Sequence, residues 1–416
     1  MDRRGVCGSL FGFAQWEEIQ VGTYDSKCFL YEGPGRVRLD SVTVECGPTD
    51  IVIQVEVCGR CGTDQRLFHE PHPNVRIPAV LGHELVGRIV EVGREVETLE
   101  QGIGYKQDQV LSPMELCFLL GQRVTVQSRI ARMRNGLMLI RDPIQNLSFR
   151  IPGGFAQYMK IPADMIQSGS VLRVPDQVTD EEGALVEPAA CALESIFATP
   201  HAVGVDAEGR HIVQSGILRG GRTLVIGSGT LAAIYGRLAQ LEGAAEVWFM
   251  IRSQDKAGLL TRLLGDWPKF KVVPAYSSLP LPEKLKVEGL LAREFGELTH
   301  GELFDDVILA AASEDAERLM FLLLNPDGYG VASCFAGLHK PVQEAMVDNL
   351  HYRMAKAVGT SGCSTRSMET ILKWLEAGRL SLRGLTCPHR YTLNDDPADF
   401  FQTKADGRKP MLFPWG

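Results

Sequence analysis

No stretch of the 416 residues approaches the roughly 18 uninterrupted apolar positions that a membrane helix needs. The best run, Leu319-Met-Phe-Leu-Leu-Leu324, stops at Asn325-Pro326. An excess of positive charge is also missing: 43 Lys and Arg face 51 Asp and Glu, a net charge of −8. A mildly acidic chain offers no electrostatic footprint for nucleic acid, so neither a membrane nor nucleic acid is expected as a partner. Cysteine is too sparse for a disulfide scaffold, ten residues in the whole chain, and fits a reducing, cytoplasmic setting. Arg3-Arg4 precedes the glycine-broken stretch Gly5 to Ala14, which lacks the strong apolar centre of a signal peptide. Repeats and low-complexity tracts are absent. What remains is ordinary globular usage, 45% hydrophobic and 23% charged, at a length that predicts two or three domains of about 150 residues.

Two textures divide the chain. From about Ser26 to Ala163, short alternating runs are broken by Gly and Pro: Lys27–Tyr31, Ile51–Val57, Gly87–Val92 and Arg123–Val126. They predict a β-rich sandwich or barrel. From about Arg222 to Gly337, strands and helices alternate. Thr223–Ile226 is followed by a stripe of Leu231, Ile234, Tyr235, Leu238 and Leu241, the face of a helix on a sheet. Val247–Ile251, Lys271–Val273, Phe304–Leu309 and Gly330–Ser333 continue the strands, which predicts an α/β unit with a doubly wound parallel sheet. A last helix carries Met368, Ile371, Leu372 and Leu375, with Ser364 or Thr365 as cap and Gly378 as stop.

Gly227-Ser-Gly-Thr-Leu-Ala232 fits G-x-G-x-x-A directly after a strand and at the head of a helix. The first glycine permits a tight turn and the second lets backbone approach a pyrophosphate. The small third residue lets the helix sit close to the strand. Gly227, Ser228, Gly229, Thr230 and Leu231 are therefore the expected dinucleotide-binding residues. The next strand ends in Ile251-Arg-Ser-Gln-Asp255, where an NAD site usually places an acid for the ribose. Arg252 and Ser253 suit a 2′-phosphate instead, so NADP is favoured over NAD.

The N-terminal half contains Val57-Cys-Gly-Arg-Cys-Gly-Thr-Asp64, then Leu81-Gly-His-Glu-Leu-Val-Gly87, and later Gly183-Ala-Leu-Val-Glu-Pro188. Thiolate, imidazole and carboxylate are a zinc donor set that leaves a position open for chemistry. The donors are spread over more than 120 residues, so only the fold can assemble them. Cys58 and Cys61 also spell C-x-x-C, but without the β-α-β context of a redox pair.

In this order the motifs resemble the zinc-dependent medium-chain dehydrogenase/reductases, the alcohol and polyol dehydrogenase superfamily, with the Glu-Pro pattern nearest the sorbitol and threonine dehydrogenase branches. The likeness runs from about Ser26 to the C-terminus. It includes Tyr31–Arg38, Gly153–Tyr158, His351-Tyr352 and Gly359–Gly362. The resemblance implies a GroES-like catalytic domain over 26–203, completed by 341–416, a Rossmann domain over 204–340, and an extension over 1–25. It implies that Cys61, His83 and Glu187 hold one catalytic zinc, with Glu84 beside the metal as an exchangeable ligand or outer support. Thr63 matches the hydroxyl that relays the proton; its plainer role is a helix cap, as for Asp64, and Glu187 has a plain reading as a buried carboxylate. A homodimer or tetramer, pairing near Tyr329 to Ala336, is the family-like assembly.

Two departures stand out. The lobe of four clustered cysteines that holds a structural zinc in many relatives is missing, since only Cys117 lies between Gly93 and Gly153. In its place stand an insertion over Gln101–Leu120 and a basic stretch of Arg123, Arg129, Arg132, Arg134 and Arg141. A second insertion, Gly204–Ser215, lies at the domain joint. The expected chemistry is hydride transfer between a nicotinamide and the alcohol or ketone of a polyol, sugar or cyclitol. Zinc lowers the pKa of bound water from 15.7 to about 7, worth roughly 12 kcal/mol, more than a lone general base supplies. The alternatives are a redox-neutral lyase or epimerase with bound NAD(P), and a zinc-free quinone or enoyl reductase of the same fold.

Overall fold

The computed structural model describes residues 22–96, 118, 120–129, 146–311, 313–334, 350–403 and 406–416, with the backbone of four two-residue strands between 105 and 138. The side chains of residues 101–117 within the Gln101–Leu120 insertion and of Arg132, Arg134 and Arg141, most of the N-terminal extension, and residues 335–349 lie outside the described residues.

The N-terminal half is built on a seven-stranded sheet. Its central strand, Ile51–Gly59, is almost wholly buried because it is paired on both sides and covered on both faces. Glu84–Val92 lies antiparallel on one flank, and Arg123–Val126 and Val171–Arg173 follow outward. On the other flank comes Lys409–Leu412 from the far end of the chain, with Met411 opposite Gly59 and Leu412 opposite Cys58. The C-terminus thus closes the sheet that carries Cys58, Cys61 and His83. Behind it, Phe29, Phe155, Phe400 and Phe401 form a fully buried aromatic cluster.

The second half is a six-stranded parallel sheet. Its order is Lys269–Val272, Glu246–Ile251, Arg222–Ile226, Asp306–Leu309, Val331–Cys334 and Lys356–Gly359. In chain order this is 3-2-1-4-5-6, a doubly wound sheet whose order reverses beside Arg222–Ile226. The sixth strand lies beyond the expected limit of 340. Lys356-Ala-Val-Gly359 has too little apolar pattern to announce itself. It also displaces the expected pairing edge: Val331–Cys334 is flanked on both sides, and among the described residues Lys356–Gly359 is the outer strand of this sheet.

Helix Val186–Phe197 joins the halves. Its face of Val186, Ala189, Ala190, Leu193 and Ile196 packs in one cluster with Val57 and Val86 of the first sheet and with Ala232, Tyr235 and Leu238 of the second half. Small alanines permit that close approach, and a buried Ser195 Oγ–Tyr235 Oη hydrogen bond of 2.7 Å pins the helix to Thr230–Glu242. The Gly204–Ser215 insertion belongs to a hairpin of Pro200–Val205 and His211–Ser215. His201 Nε2 meets Asp306 Oδ1 at 2.9 Å and roots it in the Rossmann sheet.

Candidate active site

Cys61 caps the short helix Gly62–His69 that follows the central strand. Its backbone N–H donates to Asp64 Oδ2 at 2.8 Å, so Asp64 fixes the turn that presents the Cys61 sulfur. Asp64 is fully buried, and its other oxygen has no hydrogen-bond partner but lies 3.8 Å from His83 Nδ1. His83 also sits 3.4 Å from the Ser148 hydroxyl. Burial alone would lower the His83 pKa, but the Asp64 carboxylate and then Cys61 outweigh it and raise the imidazole well above its ordinary value. The pocket is therefore strongly favourable to positive charge.

Donor atoms of Cys61, His83 and Glu84 lie within 4.8 Å of one another. Cys61 and His83 are partly exposed, while Glu84 is buried. Thr63, two residues beyond Cys61 on the same short helix, is half-buried. Glu187 falls into an adjoining group with Cys191 and Cys363, whose donor atoms also lie within 4.8 Å of one another. The three donors of the expected set are thus divided between two groups. Ser128 Oγ donates to Glu187 Oε1 at 2.7 Å and holds the carboxylate on the Cys191 side. Burial raises the Glu187 pKa, opposed by the His83 charge, so the two residues sense one another.

Lys409 was not legible in the sequence. Its ammonium bonds both oxygens of Glu84, one at 2.5 Å. It remains a cation, because Glu84 and Cys61 outweigh the burial that would lower its pKa. Arg408-Lys409-Pro410 reads as a solvated basic pair, and only the pairing of Lys409–Leu412 with the central strand turns Lys409 inward. Cys58 is wholly buried, and burial pushes its thiol well up. Cys58 is therefore poorly suited to act as a reactive thiolate.

The glycine turn takes its place at the switch point of the second sheet. Gly227 has φ of +145°, in the region that favours glycine, and Gly229 caps helix Thr230–Glu242. Gly227, Ser228, Ile251, Arg252 and Ser313 line a cleft of 200 Å³. Thr230 is differently engaged from expectation: its N–H donates to Gly407 O at 3.0 Å and its hydroxyl to Leu385 O at 2.7 Å. Both groups are used to dock the C-terminal segment on the helix. Leu231 is partly buried behind the turn, and Ser253 caps the next helix, Gln254–Leu264.

Arg252 is less free than its sequence context implies. Its guanidinium donates to Asp315 Oδ1 at 2.7 Å, to Ser313 Oγ at 3.0 Å and to Val273 O at 3.3 Å. Burial would raise the Asp315 pKa, yet the bonds it accepts from Arg252, the Ser313 hydroxyl and the Tyr276 N–H hold it below its ordinary value. Asp315 is only 1% exposed and lies behind the cleft, whereas the Arg252 side chain is 38% exposed and lines it. Arg123 is a brace, bonded to Asp180 at 2.6 Å and to Val178 O at 2.8 Å. That explains one member of the basic stretch without any ligand.

Residues 47–176 match the alcohol dehydrogenase GroES-like domain. The chain is 27% identical over 284 residues to D-xylulose reductase of Saccharomyces cerevisiae, covering 65% of this chain and 66% of the reductase. It is 27% identical over 206 residues to L-threonine 3-dehydrogenase of Ruegeria pomeroyi, covering 49% and 50%. The chain thus spans about half to two thirds of the length of these curated relatives. Its fold is that of a zinc-binding dehydrogenase from Sinorhizobium meliloti solved with NADP, at a TM-score of 0.69 and 21% identity, covering 94% of this chain and 100% of that one. Residues 47–176 are thus a GroES-like domain of the alcohol dehydrogenase type, and the whole chain shares the fold that joins such a domain to a Rossmann domain. No helix among the described residues is long and apolar enough to cross a membrane.

Proposed function

We propose that the protein is a zinc-dependent oxidoreductase that moves a hydride between a nicotinamide cofactor and a secondary alcohol or ketone of a polyol, sugar or cyclitol. The observation that carries this reading is the partly open group of Cys61, His83 and Glu84, backed by an unpartnered Asp64 oxygen facing His83. Sulfur, nitrogen and oxygen donors with a carboxylate behind the imidazole fit a divalent zinc ion. Cys61 and His83 would be its fixed ligands, and Glu84 and Glu187 the flanking carboxylates. Zinc there supplies a Lewis acid for the alcohol or carbonyl oxygen.

The chain's own groups do the rest. Asp64 orients His83 and sets the Cys61 turn, and Lys409 holds Glu84. The Thr63 hydroxyl both accepts and donates, which suits it to pass the substrate's proton outward. Gly227, Ser228 and Gly229 offer the dinucleotide a close backbone approach, with Thr230 and Leu231 shaping the helix start behind them. Arg252 and Ser253 occupy the end of the second strand without an acid in the cleft, which favours NADP. The outer strand Lys356–Gly359, beside the exposed Tyr352 and Met354, is the surface on which a homodimer or tetramer would form.

A panel of polyols, sugar alcohols and their ketones, run with both nicotinamides, tests the reading. Zinc-dependent change in cofactor absorbance is the expected result. Substrate conversion without net cofactor change would favour the lyase or epimerase alternative, and turnover insensitive to zinc removal would favour the quinone or enoyl reductase.

A further inference from the structure

Glu187, Cys191 and Cys363 gather one carboxylate and two thiols beside the group just described. Glu187 and Cys191 stand one turn apart on helix Val186–Phe197, so both project from the same face. Cys363 comes from the turn between Lys356–Gly359 and helix Thr365–Glu376. That turn is held firmly: Gln127 Nε2 donates to Cys363 O at 2.6 Å, Thr365 Oγ1 donates to Gln127 Oε1 at 2.6 Å, and Ser364 Oγ donates to Glu194 at 2.8 Å. The three residues are 6%, 3% and 1% exposed.

The spacing is that of a ligand set. Cys191 Sγ lies 3.7 Å from Glu187 Oε1. A tetrahedral zinc with Zn–S of about 2.3 Å and Zn–O of about 2.1 Å separates its sulfur and oxygen donors by about 3.6 Å. The Ser128 hydroxyl on Glu187 is the outer hydrogen bond that fixes a ligating carboxylate.

We propose that Glu187, Cys191 and Cys363 form a second position for a soft divalent cation, able to hold it without Cys61 or His83. Two sulfurs and one carboxylate select zinc, cadmium or cobalt over magnesium or calcium. Each thiol releases its proton to solvent as its sulfur bonds the cation. Entry is through the neighbouring group, where Cys61 and His83 are partly exposed. Glu187 belongs to this second position and only flanks the first. The inference rests on these donors alone and not on the proposed reaction.

The test uses the full chain, stripped with chelator and titrated with Co²⁺ while sulfur-to-cobalt charge-transfer absorption is followed. Cys61→Ala/His83→Ala is expected to bind Co²⁺ with the absorption of two thiolates, and adding Cys191→Ala and Cys363→Ala is expected to abolish it. A folded Cys61→Ala/His83→Ala protein with no such absorption, or absorption that survives all four changes, overturns the proposal. A second arm compares bound Cd²⁺ in the wild type and in Cys191→Ala/Cys363→Ala. The expected loss is one equivalent, and an unchanged count overturns the proposal. Metal binding insensitive to Cys61→Ala/His83→Ala but lost with Cys191 and Cys363 would count against the proposed reaction and leave this second position standing.

Discussion

Lys409 shows how much one side chain near the C-terminus carries. It is the cation bonded to the buried Glu84, and its own side chain is only 11% exposed. Removing one partner of such a pair leaves an uncompensated buried charge, which costs about 3 kcal/mol or more. Lys409→Met is therefore expected to lower thermal stability, and Lys409→Met/Glu84→Gln to recover much of the loss. A single variant melting with the wild type would refute the pairing. Arg252 is tested by its selectivity. Its guanidinium lines the cleft while Asp315 is buried behind it, so Arg252→Ala should weaken NADP(H) about ten-fold or more, the worth of one charge-assisted contact of about 1.5–3 kcal/mol. NAD(H) affinity should change little, and equal losses for both cofactors would remove the 2′-phosphate reading.

Strands and helices were the more legible part of the sequence. Alternation marked Arg123–Val126 to the residue, and the stripe at Ile234, Tyr235 and Leu238 marked the buried face of helix Thr230–Glu242. Of the two residues expected as cap, Ser364 and Thr365, it is Ser364 that caps the helix Thr365–Glu376. The strand Lys356–Gly359 carries no sequence signal, because a short strand of mixed residues has no periodicity to read. Lys409, Ser128, Cys191 and Cys363 carry none for a different reason: tertiary pairing alone brings them to the site, and no local pattern encodes it. The hairpin Pro200–Val205/His211–Ser215 is anchored by the buried His201–Asp306 pair, with Asp306 Oδ2 also accepting from Leu218 N at 2.9 Å. His201→Ala should cost about 3 kcal/mol, read in denaturant unfolding, and a loss below about 0.5 kcal/mol would show that the hairpin does not lean on this pair.

The start of the Rossmann sheet gives a pH signature. Lys269 and the Trp248 indole bond Glu246, with Arg222 also near, and hold its pKa down at about 2 from an ordinary 4.5. A depressed carboxylate contributes stability that is complete above the ordinary value and fades as pH falls toward the folded value. The melting-temperature gap between wild type and Glu246→Gln should hold steady above about pH 5 and narrow toward pH 2. A gap independent of pH would contradict that assignment.

At the scale of the whole molecule, the two large sheets are clamped by one helix and tied together by the returning segment 407–412. Helix Val186–Phe197 carries Glu187 at one end and touches both halves, while Lys409–Leu412 crosses back to the first sheet beside it. The docking of Thr230 on Gly407 and Leu385 ties the cofactor turn to that same returning segment. The Cys61–His83 group and the glycine turn therefore share one framework of packed helix and strand.

The most direct test asks whether Cys61 and His83 hold an ion required for hydride transfer. Zinc content and alcohol-dependent nicotinamide reduction should be measured together for the wild type, Cys61→Ser and His83→Ala, with dinucleotide binding followed separately. Stoichiometric zinc and turnover in the wild type, with turnover lost in both variants while the dinucleotide still binds, is the predicted outcome. Near-normal turnover in either variant, or in wild-type protein stripped of metal, would contradict it.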